Sequence, residues 1–131
     1  MHKTYLIIGA LLGALAVALG AFGAHGLHKI ATPEMIETYQ TGVRYQFYHV
    51  FALLAVGILY HRFQDKLMSL SGLFFIVGIL LFSGSLYLIT FMQASGNTIP
   101  TGLGVITPLG GLFLIAAWLL MLVSLSKKRV A

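Results

Sequence analysis

The stretch GVRYQFYHVFALLAVGILYHRF, Gly42 to Phe63, decides how this chain folds. Its purely apolar part, Val50 to Tyr60, is only 11 residues long. A helix that crosses a bilayer needs about 20. Counting back that far from Tyr60 reaches Thr41, so the span must take in Arg44, Tyr45, Gln46, Tyr48 and His49. At the helical rise, His49 lies roughly 16 Å from the cytoplasmic edge, near mid-membrane. Arg44 lies roughly 24 Å up, within snorkelling reach of the outer surface. On a helical wheel Arg44, Tyr45, Gln46, Tyr48 and His49 fill one broad arc, continued by Ala52, Ala55 and Val56. Val43, Phe47, Val50, Leu54 and Ile58 fill the opposite arc. The pattern predicts a polar stripe facing protein and an apolar stripe facing lipid.

The rest of the chain agrees with a membrane setting. Of 131 residues, 59% are hydrophobic and 8% charged, against about a quarter charged in a soluble domain. No cysteine is present, which excludes disulfides, thiolate metal sites and cysteine nucleophiles. The net charge of +5 comes from basic residues at the ends of apolar runs. Membrane topology accounts for them, and no nucleic-acid partner is expected. The N-terminus has signal-peptide features in His2, Lys3 and Ala16-Val17-Ala18, but the run Tyr5 to Ala24 is long enough to span. It is read as a retained helix. Spans are placed at about 4–27, 41–60, 67–92 and 103–126. The expected fold is an all-α, up-down, four-helix bundle embedded in the membrane, with a helical extension before the second span.

Thr32, Pro33 and Glu34 start that extension: a capping hydroxyl, a proline at the first helical position and an acid at the positive dipole end. Thr107-Pro108 permits two readings. Either it starts the fourth helix and leaves Gly102–Ile106 irregular, or a continuous helix passes through Pro108 with a kink. Lys3, Arg62, Lys66, Lys127, Lys128 and Arg129 fall on one side, against Lys29 and Arg44 on the other. The positive-inside rule then puts both termini in the cytoplasm. Glu37 and Arg44, seven apart, share a face and can pair through Thr41 or water.

Small residues supply packing surfaces. Gly9, Gly13, Ala16, Gly20 and Gly23 form a stripe on the first span at spacings of three and four, and Gly78 recurs with Ser71 and Ser85 every seven residues on the third. Such stripes let helix backbones approach closely in lipid. His25, Arg44, Tyr45, Ser83, Ser85 and Thr107 fall at one outer depth, which predicts a polar layer with His49 below it.

His49 has two readings: a neutral imidazole that holds helices together, or a group that handles a proton, ligand or cofactor. His25 and His28 share a face, but no third ligand is near, so no metal is assigned. A haem between His25 and His49 would need matching depths, and roughly 14 Å separates them. His2 is read as a terminal residue without a role. The only acids are Glu34, Glu37 and Asp65. No hydrolase elbow, zincin helix, phosphate loop or dinucleotide fingerprint occurs, so no catalytic residue and no cofactor is assigned.

Four blocks carry a family likeness: LGAFGAHGL (Leu19–Leu27), ATPEMIETYQTGVRYQFYH (Ala31–His49), LFSGSLYL (Leu81–Leu88) and ITPLGG (Ile106–Gly111). In this order they resemble domain-of-unknown-function family 423, the YwdK/YgdD-like bacterial membrane proteins and the transmembrane protein 256 family. The resemblance implies a four-helix protein of the bacterial inner membrane. It implies no established activity and supplies no catalytic residues.

Three function classes follow. The first is a non-enzymatic membrane protein that packs with itself or with partner helices, for which the small-residue stripes argue. The second is a small transporter, channel or lipid-binding protein that uses the polar layer and His49. The third is a membrane enzyme or redox subunit. Membrane lipids are expected around all three.

Overall fold

The computed structural model describes residues 1–127; Lys128 and Arg129 of the basic tail lie outside them. Four α-helices run in chain order: α1 Lys3–Ala24, α2 Pro33–Leu59, α3 Lys66–Ala94 and α4 Thr101–Ser126. Each is long and apolar enough to cross a membrane. The chain is a four-span, all-helical membrane protein.

The helix starts follow local chemistry. Thr32 Oγ1 accepts the Met35 amide at 3.3 Å, with Pro33 at the first helical position and Glu34 in the first turn. Asp65 Oδ1 accepts the Met68 amide at 2.8 Å and caps α3 in the same way. From Pro33 the helix is unbroken to Leu59, so the extension and the second span are one helix of 27 residues.

One boundary differs from expectation, and α4 follows one of the two readings open for Thr107-Pro108. The α-helix of the first span stops at Ala24, and a 3-10 turn at Leu27–Lys29 follows it. That turn places Leu27 in the interior, fully buried beside Tyr39. At the other site, α4 is continuous from Thr101 and passes through Pro108, so Thr107-Pro108 does not start a helix. Pro108 removes the hydrogen bond to the Gly104 carbonyl, and Gly104 has no side chain to resist the adjustment. Thr107 Oγ1 is meanwhile held at 2.6 Å by Ser85 Oγ of α3, which ties this turn of α4 to its neighbour.

Consecutive helices are antiparallel neighbours: α1 packs on α2, α2 on α3 and α3 on α4. The middle pair therefore forms the centre, with α2 the most buried helix and α1 the least. Ile7, Leu11 and Val17 of α1, and Val105, Leu112 and Ile115 of α4, stay exposed on the outside, where acyl chains solvate them.

The α1–α2 seam corrects the helical-wheel reading. Val43 and Val50, placed on a lipid-facing arc, are buried. A Cβ added at Gly9 would lie 2.7 Å from Leu54 Cδ2; at Gly13, 3.5 Å from Val50 Cγ1; at Gly20, 3.4 Å from Val43 Cγ1. The apolar arc of α2 therefore fills the glycine stripe of α1. The exposed line on α2 is instead Arg44, Tyr48, Phe51 and Ile58. Of the arc expected to face lipid, Ile58 does so, while Phe47 is half-buried. Periodicity could not separate these cases, because a glycine-rich helix and a lipid tail are equally apolar neighbours.

The seven-residue repeat of α3 is its α4 interface. Ser71 Oγ donates to the Ala117 carbonyl at 2.8 Å, Gly78 receives the Leu114 side chain, and Ser85 meets Thr107. The closest approach lies at Gly110, against the α3 backbone at Leu81 and Phe82.

Candidate functional site: a crevice at His49

The residues expected to form one polar layer separate into three groups. Gln46, Ser83 and Ser85 are buried and bridge helices. Gln46 Nε2 donates to the Leu12 carbonyl at 2.7 Å, and its Oε1 accepts the Tyr87 hydroxyl at 2.6 Å, so one amide joins α1, α2 and α3. Ser83 Oγ donates to the Gly42 carbonyl at 2.7 Å, and Ser85 pairs with the half-buried Thr107. Arg44, Tyr45 and Tyr48 do not turn inward; all three are exposed. Arg44 forms a direct 2.9 Å ion pair with Glu37, without Thr41 or water between them. His25 also leaves the layer. It is exposed, and its Nδ1 bonds at 3.0 Å to the Ala21 carbonyl of its own helix.

The departures on α2 share one cause. A wheel shows one helix, whereas α2 is clasped between α1 and α3. That leaves the face bearing Arg44 and Tyr48 for the surroundings. His25 ends α1 where the chain turns away.

His49 stands apart from every other buried polar side chain among the described residues. Gln46, Ser71, Ser83, Ser85, Thr90 and Ser124 each bond to a different helix or its cap. His49, only 6% exposed, bonds to its own helix: Nδ1 lies 2.6 Å from the Tyr45 carbonyl, one turn back. Its other nitrogen, Nε2, has no hydrogen-bond partner among the described residues, and it is not among the fully enclosed unpaired atoms. His49 therefore meets other helices through ring packing on Phe75 and Trp118, with no hydrogen bond between helices among the described residues.

The ring instead forms part of a crevice of about 320 Å³ between α2, α3 and α4, lined by Tyr45, His49, Phe82, Gly111, Leu114, Ile115 and Trp118. Trp118 stands edge-on to His49, with ring centroids 6.1 Å apart, and Phe75 backs both rings. Tyr45 and Phe82 lie 4.7 Å apart along one wall. Tyr45, Ile115 and Trp118 are each exposed on the bundle surface, so the crevice opens sideways, toward acyl chains. A second groove, lined by Phe74, Leu109, Leu112, Phe113 and Ala116, offers no polar side chain.

Trp118, Phe82 and Gly111 were not legible as site residues. Each reads in sequence as part of an apolar helix face, and only packing brings them around His49. His2 was also undervalued. Its amide donates to the Gly57 carbonyl at 2.8 Å, and its ring stacks on Tyr5 at 3.9 Å and meets Tyr60 edge-on, anchoring the start of α1 to the end of α2.

The family model described as protein of unknown function (DUF423) matches residues 19–111, well over half of the chain. The chain belongs to the DUF423 family. Relatives extend that match along nearly the whole length. The UPF0382 membrane protein YwdK of Bacillus subtilis is 40% identical over 130 residues, covering 95% of this chain and 98% of its own. A UPF0382 membrane protein of Haemophilus influenzae is 43% identical, covering 91% and 90%. One from Schizosaccharomyces pombe is 36% identical, covering 88% and 96%. No solved structure matches. The DUF423 match takes in His49, Phe82 and Gly111 and ends before Trp118.

Proposed function

We propose that this DUF423 protein binds the head of a small lipid-soluble molecule, taken laterally from the bilayer into the crevice at His49. One observation carries the reading: a buried imidazole in the membrane, bonded only to its own helix, with its second nitrogen open to a lipid-facing crevice. Intramembrane ionisable groups are costly, and those without a structural partner mark binding or transport sites. The volume is at the lower end of ligand pockets, which suits a head group with its tail left in lipid. Assembly through the small-residue stripe has less support, because α2 already fills Gly9, Gly13, Gly20 and Gly23, and Leu114 fills Gly78.

Gly111 supplies the test. A Cβ there would meet only the Phe82 ring, at 3.7 Å, an ordinary contact. Gly111→Leu therefore adds bulk to the crevice wall at a position with room for a Cβ. Trp118, the one tryptophan of the chain, is a built-in reporter. A bromo-substituted alkylbenzene, titrated into protein in nanodiscs, should quench Trp118 saturably. In Gly111→Leu the affinity should fall about tenfold or more, a loss of about 1.4 kcal/mol. Quenching that rises linearly with probe in both proteins would mean simple partition, and the proposal would fail.

The setting we propose is the bacterial inner membrane, with both termini in the cytoplasm. Lys3, Arg62, Lys66 and Lys127 lie at the helix ends nearest the termini, which supports that orientation. A reporter fused after Ala131 should be active if it fluoresces only in the cytoplasm and inactive if it needs export; the reverse pattern would invert the topology.

A further inference from the structure

We infer that the crevice selects a molecule that presents a hydroxyl donor on a flat ring, a phenol or hydroquinol head, over the corresponding ether or ketone. The inference rests on the binding reading above and adds the chemical class of the ligand. It follows from the tautomer of His49. The Tyr45 carbonyl can only accept a hydrogen bond, and it lies 2.6 Å from Nδ1. Nδ1 must therefore carry the proton. A neutral imidazole has one N–H, so Nε2 presents a bare lone pair.

The walls beside the imidazole then act as a filter. Phe82, Leu114 and Ile115 provide no polar side-chain atom; the Tyr45 hydroxyl and the Trp118 indole N–H, the other polar side-chain groups of the lining, belong to exposed residues. A ligand carbonyl or ether oxygen placed at Nε2 would set acceptor against acceptor, away from water. A hydroxyl would satisfy the lone pair that the fold leaves open. Sites built to pair a polar group discriminate strongly against analogues that lack it, because the protein's own buried group is then left unpaired. The ring preference comes from the lining. Tyr45, Phe82 and Trp118 present aromatic surfaces around the imidazole, which favour offset or edge contacts with a planar head.

The experiment compares 4-hexylphenol with its methyl ether, 4-hexylanisole, on full-length protein in nanodiscs, read through Trp118 emission. The phenol should bind about tenfold tighter. His49→Phe keeps a ring in place and removes the acceptor, so it should bind both probes with the affinity of the ether. A measurement on unmodified protein does not depend on that variant folding. The His49 Nε2 nitrogen resonance should move upfield with the phenol, as a lone pair that gains a hydrogen bond does, and stay in place with the ether. Equal affinities for the two probes, an advantage that survives His49→Phe, or an unmoved Nε2 resonance under saturating phenol would overturn the donor inference and leave the crevice reading intact. Saturable binding of neither probe would overturn the crevice reading and this inference with it.

Discussion

Gly110→Ala should lower stability by about 3 kcal/mol, the upper end of ordinary overpacking costs, while Gly84→Ala should be close to neutral. A Cβ at Gly110 would sit 2.8 Å from the Leu81 carbonyl carbon and from Phe82 Cα, and closer still to the Phe82 nitrogen. These are backbone atoms of α3. No rotamer change can move them, so the two helices must separate. Separation strains the Ser85–Thr107 and Ser71–Ala117 hydrogen bonds and withdraws Leu114 from the slot at Gly78. Interhelical hydrogen bonds in membranes are worth about 0.6 kcal/mol each, so the lost close packing dominates. Gly84, on the facing helix α3 only two residues beyond Phe82, has nothing within 4 Å of an added Cβ. Unfolding of the two variants in mixed micelles with a denaturing detergent measures the difference. Equal midpoints would mean that the α3 and α4 backbones are not in direct contact at Gly110.

Asp65→Ala should cost about 2 kcal/mol, the top of the range for losing an N-cap. The carboxylate does more than cap α3. Oδ1 also accepts the Ser124 hydroxyl at 2.8 Å, and Oδ2 pairs with Lys127 at 3.0 Å, so one side chain fastens the end of α4 to the start of α3. Asp65→Asn retains a capping oxygen and loses the ion pair. The Lys127 side chain is half exposed, so that pair adds little and the asparagine variant should lose well under half as much.

The same site sets a pH dependence. Burial against α4 pushes the Asp65 carboxyl up, but the Met68 amide, the Lys127 ammonium and the Ser124 hydroxyl together outweigh it. They hold the group below the ordinary carboxylate range. Its folded value is lower than its unfolded one. The stabilisation is therefore complete above the unfolded value and drains away as the pH falls from there through the folded value. Unfolding curves of the native protein and Asp65→Asn should converge on acidification. A gap that widens at low pH would contradict the assignment.

The two substitutions concern features of very different legibility. Asp65 precedes an apolar run as a capping acid does, yet its reach to Ser124 and Lys127 depends on α4 returning beside α3. Gly110 carries no sign of its importance, because Gly102, Gly104 and Gly111 nearby are all in open or ordinary surroundings. The cap at Thr32 and the Glu37–Arg44 pair were legible, because each depends on spacing along a single helix. The exposure of His25, Arg44 and Tyr45, expected in the outer polar layer, and of Tyr48, expected on the protein-facing arc, was not, because it required knowing which sides of the helices their neighbours occupy.

Length, composition and helical rise were sufficient to predict four spans and a second helix that runs on through its polar residues, while the family likeness rested on four blocks of specific residues. Those are one-dimensional properties, set by how many residues cross a fixed thickness of hydrocarbon. Tertiary structure alone decided that α2 turns its apolar face to the glycines of α1, and that His49 lines a crevice between α2, α3 and α4. In lipid, protein and solvent are both apolar, so hydropathy cannot choose between them. The choice falls to shape, to where Leu54, Val50 and Val43 find the glycines that admit them, and that shape exists only once the helices have met.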